Sequence, residues 1–196
     1  MKMGIIAEDD SDVAVLREIT SMLLRPHKIG FRRFVGDGCG KVRRKCGAWA
    51  VTLVRQGCPW IVVVHDLDIA GHGRTQAEEE RRLRAYLVKA IRPAHARASV
   101  VLIPKREIEA WLLYDAHAIA AAFHESRLVR LPGDPESLPD PKKHLRDLVR
   151  RHYRKDYLNT IHNSLIAKHI DVSRLGRSNS FAPHPIFTAS VKALLR

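Results

Sequence analysis

The sequence predicts an α/β fold in which a mostly parallel, four-stranded sheet carries helices on both faces, followed by a helical C-terminal extension. Short apolar runs alternate with segments of helical periodicity over about the first 125 residues, the order of elements that builds parallel sheets. The run Trp60–Val64 is apolar throughout, as strands covered on both faces are. After residue 131, helical segments follow one another with no strand between them. We therefore expect an α/β domain over residues 1–125 and an extension packed on it over residues 126–196.

The individual elements follow from local patterns. The apolar run Met3–Ala7 predicts the first strand, and apolar positions at helical spacing predict a helix after it, with Asp10 or Ser11 as its N-cap. The same argument predicts further strands at Ile29–Val35, Trp60–Val64 and Ser99–Ile103, and helices at Lys41–Gln56, Gln76–Ile91, Glu107–Leu113, Lys142–Tyr153, Tyr157–Ile170 and Ile186–Leu195. Residues 131–141 are rich in turn formers and predict a linker across the surface.

The composition limits the partners and the compartment. The chain has 34 Lys and Arg against 21 Asp and Glu, a formal net charge of +13, which favours nucleic acid as a partner, although a merely solvated basic surface is the alternative. The cysteines Cys39, Cys46 and Cys58 are odd in number and lack metal-ligand spacing, so reduced thiols are expected. The acidic start does not resemble a signal peptide, and no run reaches transmembrane length, so we expect a cytoplasmic protein with no membrane contact.

Acidic side chains follow two of the predicted strands. Glu8 comes directly after the first strand, and Asp66 and Asp68 follow the central one at i, i+2 spacing. In parallel sheets functional groups collect beyond the carboxyl ends of the strands, and alternate residues of an extended segment point the same way. Gly71 and Gly73 then allow the chain to turn away. Paired carboxylates in this place predict a site for a hard divalent cation.

These residues also carry a family resemblance. The segment Ile5-Ile6-Ala7-Glu8-x-x-Ser11-Asp12 and the strand ending in Asp66-x-Asp68 resemble the TOPRIM domain of topoisomerases, bacterial primases, ribonucleases that mature ribosomal RNA, and OLD-family nucleases. The segment Pro104–Leu112 and the late residues 177–181 resemble more closely a family of stand-alone bacterial TOPRIM proteins of unassigned function. The resemblance implies a Rossmann-like TOPRIM fold. One position departs from the pattern, because Asp9 stands where TOPRIM domains usually have glycine.

The resemblance implies a metal-dependent nuclease that hydrolyses phosphodiester bonds in DNA or RNA. In this interpretation Asp66 and Asp68 bind Mg²⁺ or Mn²⁺, which neutralises phosphate charge and activates water. Glu8 acts as general acid or base, or as a bridging ligand. Glu107 or Glu109, at the start of a later helix, completes a second metal position.

Basic residues extend the expected contact with phosphate. Lys105 is expected to stabilise transition-state charge, and Arg106 beside it to contact phosphate. A second group recurs at roughly helical spacing and is expected to contact a nucleic-acid backbone: Lys142, Lys143, Arg146 and Arg150. The resemblance further implies a role in defence against phage or mobile DNA. A separate partner ATPase is expected with it, because the chain has no G-x-x-x-x-G-K-[ST] loop.

Two interpretations from other classes stay open. A response-regulator receiver domain also has acids after its first strand and a phosphoacceptor aspartate before a glycine, as Asp66 and Gly71 are here. The Ser/Thr after a fourth strand and the Lys-Pro after a fifth, which receivers need, are missing. A TOPRIM-like module that binds nucleic acid or a partner without cutting would need the basic residues but not the acids. The histidines show no metal-binding spacing and are expected to be incidental, except that His65 is placed to tune the site.

Overall fold

The computed structural model describes residues 1–67 and 75–195. The predicted metal ligand Asp68 lies outside these residues, as do Gly71 and Gly73. In chain order the described part contains these strands and α-helices: β1 (Lys2–Ala7), α1 (Asp10–Leu23), β2 (Gly30–Val35), α2 (Cys39–Arg55), β3 (Trp60–Val64), α3 (Gln76–Ile91), β4 (Ala98–Leu102), α4 (Glu109–Leu112), α5 (Ala116–Ala122), α6 (Pro141–Tyr153), α7 (Asn159–His169), α8 (Val172–Leu175) and α9 (Pro183–Ala193).

The strands form one sheet in the order β2-β1-β3-β4, and every pair is parallel. Ile6 of β1 pairs with Val63 of β3, and Val64 pairs with Leu102 of β4. A bridge between Leu67 and Lys105 continues the β3–β4 pairing past the ends of both strands. Because parallel strands all leave the sheet at the same edge, the residues that follow β1, β3 and β4 meet there. The predicted parallel α/β fold is confirmed.

Each face of the sheet packs against its own hydrophobic core. Alternate residues of a strand point to opposite faces, so Ile5 and Val62 belong to one core and Ile6 and Val63 to the other. The core that contains Ile6 is closed by α2 and α3, whereas the core that contains Ile5 is closed by α1 and by helices from the C-terminal part of the chain. Helices therefore cover both faces, as the alternation of elements predicted.

Most predicted elements lie within two or three residues of the observed ones, with three differences. The N-cap of α1 is Asp9 and not Asp10 or Ser11; its side chain accepts a hydrogen bond from the backbone N–H of Asp12, and the Asp12 side chain accepts one from the Asp9 N–H. The short helices α5 and α8 have no counterpart among the predicted elements. The predicted linker contains a turn of 3-10 helix at Pro135–Ser137.

A buried polar network fastens residues 177–181 to α4. The indole N–H of Trp111 donates to Ser180 Oγ at 2.7 Å, and its ring meets Phe181 edge-on with centroids 5.2 Å apart. Glu136 accepts hydrogen bonds from the hydroxyls of Ser178, at 2.7 Å, and Ser180. Buried polar groups are tolerated only with partners. The network therefore supplies partners inside the core for a glutamate and two serines of the C-terminal part.

Helix α2 approaches α3 at a glycine, which provides a test of this packing. A Cβ on Gly47 would lie 2.6 Å from the carbonyl oxygen of Ala90, a backbone atom that cannot swing away. We expect Gly47→Ala to lower the free energy of unfolding by about 1–3 kcal/mol through overpacking. Chemical denaturation measures the change. The control is Gly40→Ala on the same helix, where the new Cβ meets only a flexible arginine end at 3.4 Å; this change is expected to be neutral or to stabilise by up to about 1 kcal/mol. Equal effects of the two substitutions would contradict the packing described here.

Candidate functional site

The ends of β1 and β3 are joined by a side-chain contact between two predicted site residues. The backbone N–H of Asp66 donates to Glu8 Oε1 at 2.9 Å, so the Glu8 carboxylate turns toward the loop after β3. The Glu8 side chain is 14% exposed. Asp66 is partly exposed as a residue, but its Oδ1 atom is buried and has no hydrogen-bond partner among the described residues. The prediction that these two acids meet at one edge of the sheet agrees with this geometry.

A third acid, Asp12, joins them from the first turn of α1. Its position follows from the capping box with Asp9, which holds the carboxylate at the N-terminus of the helix, where the helix dipole favours negative charge. Asp12 is only 5% exposed. Burial raises its pKa well above 3.8, and the charges of Asp9, Glu109 and Glu8 raise it further. In the sequence Asp12 belongs to the segment that resembles TOPRIM domains, but it was not predicted as a metal ligand.

Two glutamates complete the group from the segment after β4. Glu109 begins α4 and is buried; its Oε1 accepts a hydrogen bond from Asn163 Nδ2 at 3.0 Å and lies 3.2 Å from the hydroxyl of Tyr157. Glu107 is less buried, and its Oε2 accepts a hydrogen bond from the backbone N–H of Lys142 at 3.0 Å. Both residues were predicted as metal ligands from their position alone. The structure places both within electrostatic reach of Asp66.

We call these carboxylates the acid cluster: Glu8, Asp12, Asp66, Glu107 and Glu109. Burial is the main cause that raises the pKa of Asp66 well above 3.8, and the other four members raise it further through their negative charges, Asp12 most and Glu107 least. The pKa of Glu107 is also raised, first by burial. Crowded carboxylates are stabilised by a cation, and an all-oxygen ligand set suits Mg²⁺, Mn²⁺ or Ca²⁺. The acid cluster therefore has the oxygen ligands that the predicted hard cation prefers, whereas the described residues whose ligand atoms lie within 4.8 Å of one another are Glu8, Cys39 and His65.

The C-terminal part of the chain holds one side of this cluster. Asn163 of α7 donates from Nδ2 to Glu109 and also to Ser11 Oγ at 2.8 Å, and the Ser11 hydroxyl donates to the carbonyl oxygen of Asn159 at 3.2 Å. Burial and the charge of Glu109 raise the pKa of Tyr157, so its hydroxyl stays protonated and serves as a donor. Neither Tyr157 nor Asn163 was predicted as a site residue. Their role depends on packing between segments about 150 positions apart, which local patterns do not reveal.

The predicted catalytic lysine has another partner. Lys105 Nζ lies 3.8 Å from Glu136 Oε2, in the buried network around Ser178 and Ser180. Within the described residues, Lys105 forms no ion pair with a member of the acid cluster. Arg106 beside it is half-buried and has a positive φ of 75°. The structure thus holds Lys105 at the strand end, as predicted, but with its ammonium directed to Glu136.

The four basic residues of α6 that were predicted to contact nucleic acid divide into two pairs. Arg146 and Arg150 line an open cavity of about 380 Å³ together with residues 155–159, and we call this cavity the basic groove. Lys142 and Lys143 lie outside its lining, although the backbone of Lys142 contacts Glu107. The groove shares Tyr157 and Asn159 with the surroundings of the acid cluster. Two of the four predicted contacts on α6 therefore lie on a surface that adjoins the acids.

The residues of this site lie within a stretch that matches a known protein family. The family described as "Domain of unknown function (DUF4276)" matches residues 7–183. The chain belongs to this family. The DUF4276 match spans every member of the acid cluster, the basic groove and the network around Trp111. No curated protein and no solved structure gave a match to this DUF4276 chain. Among its described residues, no helix combines the length and the apolar character needed to cross a membrane.

The crowded carboxylates predict a specific pH dependence of stability. Because the folded-state pKa values of Asp12 and Asp66 lie above their ordinary value of 3.8, folding is favoured when these groups are protonated. Stability is therefore lost as pH rises from about that value through the raised pKa values. Removing one charge by Asp66→Asn should raise stability at neutral pH in chelator by about 1 kcal/mol or more, the value of one pKa unit.

Thermal unfolding at several pH values, with EDTA or with Mg²⁺ or Mn²⁺, measures this effect. Each kcal/mol corresponds to roughly 2–4 °C for a chain of this size. The wild type should gain stability from the metal ion, and Asp66→Asn should gain less. The control is Asp10→Asn, an exposed acid that pairs with Arg33 at the surface and should change stability by less than about 1 kcal/mol. Parallel pH profiles for the wild type and Asp66→Asn would refute the explanation.

Proposed function

We propose that this protein is a nuclease that requires a hard divalent cation and hydrolyses phosphodiester bonds at the acid cluster. The observation that carries the proposal is the hydrogen bond from the Asp66 N–H to Glu8 Oε1 at 2.9 Å, with the Asp66 Oδ1 atom buried and unpaired among the described residues. The charges of Asp12, Glu107 and Glu109 also reach Asp66. A bound cation would offset this charge and supply the two functions that phosphodiester hydrolysis needs, neutralising the phosphate and activating water.

The residues of the cluster have different chemical capacities. Glu109 is already engaged by Asn163 and Tyr157, so it is suited to shaping the site. The Oδ1 atom of Asp66 is buried and has no partner within residues 1–67 and 75–195, so Asp66 is the member best suited to bind the cation directly. Glu8 is the most favourable proton acceptor or donor, because it contacts the backbone of Asp66 and keeps some exposure to solvent. The resemblance of this strand-and-acid pattern to TOPRIM domains supports the same assignment.

The basic groove supports a polyanionic substrate. The guanidinium groups of Arg146 and Arg150 are exposed, and neither forms an ion pair within residues 1–67 and 75–195. A phosphate backbone lying along them would be led toward Tyr157 and Asn159, which border the acids. The chain's net charge of +13 agrees with such a partner. A role in defence and a partner ATPase belong to this proposal only through the TOPRIM resemblance.

The second candidate is binding without cleavage. It is favoured by the hydrogen bonds that Asp12 and Glu109 already make, since acids with protein partners are often structural. The receiver interpretation has less support, because residues 75–195 contain no fifth strand and a receiver needs one. The same experiment distinguishes the two remaining candidates.

Cleavage of labelled plasmid, linear duplex, single strands and structured RNA with Mg²⁺ or Mn²⁺ tests the proposal. We expect metal-dependent cutting that Asp66→Asn and Glu8→Gln each reduce by about 100-fold or more, the size of effect typical for loss of an electrostatic or acid–base group. Asp10→Asn, at the start of α1 but exposed and paired with Arg33, should keep the activity. Binding of the same substrates with no cutting by the wild type in either metal would support the binding-only candidate instead.

The basic groove gives a separate prediction for binding. Replacing Arg146 and Arg150 by glutamine should weaken binding to all sequences alike, because phosphate contacts carry no base information. The slope of log K against log salt should fall by about one unit for each phosphate that the variant no longer neutralises. Fluorescence anisotropy at several salt concentrations measures both quantities.

The control for this experiment carries the same change in charge. Lys28→Gln with Arg55→Gln removes two exposed cations from the opposite, amino-terminal edge of the sheet, just before β2 and at the end of α2. This variant should keep the wild-type salt slope. If both double variants lower the slope equally, binding follows net charge and the groove has no particular part in it.

A further inference from the structure

Glu8 has a second set of neighbours besides the other acids. Ligand atoms of Glu8, Cys39 and His65 all lie within 4.8 Å of one another. Cys39 Sγ is 2.9 Å from both oxygens of Glu8, and His65 Nδ1 is 3.5 Å from Glu8 Oε1. A thiol, an imidazole and a carboxylate thus lie close enough together to bind one ion. The spacing of the cysteines in the sequence did not predict a metal site.

The fold brings Cys39 to this place through the loop between β2 and α2. The backbone N–H of Gly36 donates to the carbonyl oxygen of Ala7 at 3.0 Å, and that of Asp37 donates to the carbonyl oxygen of Glu8 at 2.8 Å. Gly38 follows with a φ of 122°, which favours glycine, and α2 begins at Cys39. These contacts run alongside Glu8 and hold the first residue of α2 against its carboxylate.

His65 comes from the end of β3 and is completely buried. Its Nδ1 atom lies 2.7 Å from the carbonyl oxygen of Asp66, and since a carbonyl oxygen only accepts, Nδ1 carries the hydrogen. The other ring nitrogen, Nε2, is buried and has no partner among the described residues. The ring is therefore held in place by Nδ1 alone, on the side that faces Glu8.

We propose that Cys39, His65 and Glu8 form a binding site for a thiophilic divalent ion such as Zn²⁺ or Co²⁺. The ion would take the place of two hydrogens, those on Cys39 Sγ and His65 Nδ1. The thiol proton leaves to solvent, giving the thiolate ligand. The ring proton moves from Nδ1 to Nε2, so the hydrogen bond from Nδ1 to the Asp66 carbonyl oxygen is exchanged for the bond to the ion. Three protein ligands of mixed sulfur, nitrogen and oxygen type, with a fourth position open, suit zinc and cobalt and do not suit Mg²⁺.

The site has a consequence for the acid cluster, because Glu8 belongs to both. A thiophilic ion bound through Glu8 withdraws that carboxylate from Asp66 and from a hard cation. Zinc would then inhibit magnesium-dependent cleavage. This consequence rests on the proposed function, whereas the ion site itself does not.

Absorption spectroscopy of the full-length, metal-free protein with Co²⁺ tests the site without any need for activity. A thiolate bound to Co²⁺ gives a charge-transfer band in the near ultraviolet, so we expect this band in the wild type, its disappearance on adding Zn²⁺, and its loss in Cys39→Ser. The control is Cys58→Ser, a buried cysteine in the core between the sheet and α2, which should keep the band. Absence of the band in the wild type, or its survival in Cys39→Ser, would overturn the proposal.

A cleavage assay then tests the competition for Glu8. Micromolar zinc added to a magnesium reaction should inhibit the wild type and Cys58→Ser, and should inhibit Cys39→Ser much less. Equal inhibition of all three proteins would overturn the competition. A cobalt band in a protein that cuts nothing would refute the nuclease and leave the ion site standing, so the two proposals fail separately.

Discussion

The parallel pairing of β1 with β3 is the constraint on which the rest of this structure depends. It places the chain after Ala7 beside the chain after Val64, and it forces Glu8 and Asp66 together at one edge. Both strands are buried on both faces. A shift of their register by one residue would move every apolar side chain to the opposite face of the sheet, so the two acids cannot be separated in this way. The position of the negative charge at this edge is therefore determined by the pairing of the buried strands.

The C-terminal helices share in this arrangement. Asn163 links Glu109 to Ser11, so α7 connects the segment after β4 with the first turn of α1. Ile166 of α7 and Val191 of α9 belong to the same core as Ile5 of β1. The helical part is thus bound to the sheet both by apolar packing and by the polar groups that surround the acids, since Asn163 and Tyr157 supply hydrogen-bond donors to the buried Glu109. A buried carboxylate without donors is costly.

Local patterns predicted the parts of the structure that depend on neighbours in sequence. The bounds of β3 and α3 agree with the prediction, because an uninterrupted apolar run and a capping box at Thr75 with Glu78 are local signals. Glu8 and Asp66 were found because topology alone carries strand ends to one edge. Asp12 was not predicted as a site residue, since a first-turn aspartate looks the same in sequence whether or not other carboxylates surround it.

The remaining site residues depend on contacts that no local pattern contains. Cys39 reaches Glu8 because a loop 31 positions away in sequence bonds to the end of β1. Lys105 was expected near the acids from its place after β4, and its ammonium instead pairs with Glu136, which the turn-rich segment brings back over the sheet. Charge and position in sequence predict which groups reach the edge, but the partner that each group takes there is decided by packing.

The members of the acid cluster differ in their hydrogen-bond partners, and this difference bears on the function of the cluster. Glu109 and Glu107 accept hydrogen bonds from a side-chain amide and a backbone N–H, so the protein itself offsets part of their desolvation. In the part of the chain that the structure describes, Asp66 has no such donor at its buried Oδ1 atom, and its pKa is raised by burial and by every other member. A group of acids with a purely structural role would be expected to satisfy all of its members, because each unpaired buried oxygen lowers stability. This uneven distribution of hydrogen bonds among the acids is expected of a cation site, in which protein donors bond to some carboxylate oxygens and the ion binds the others.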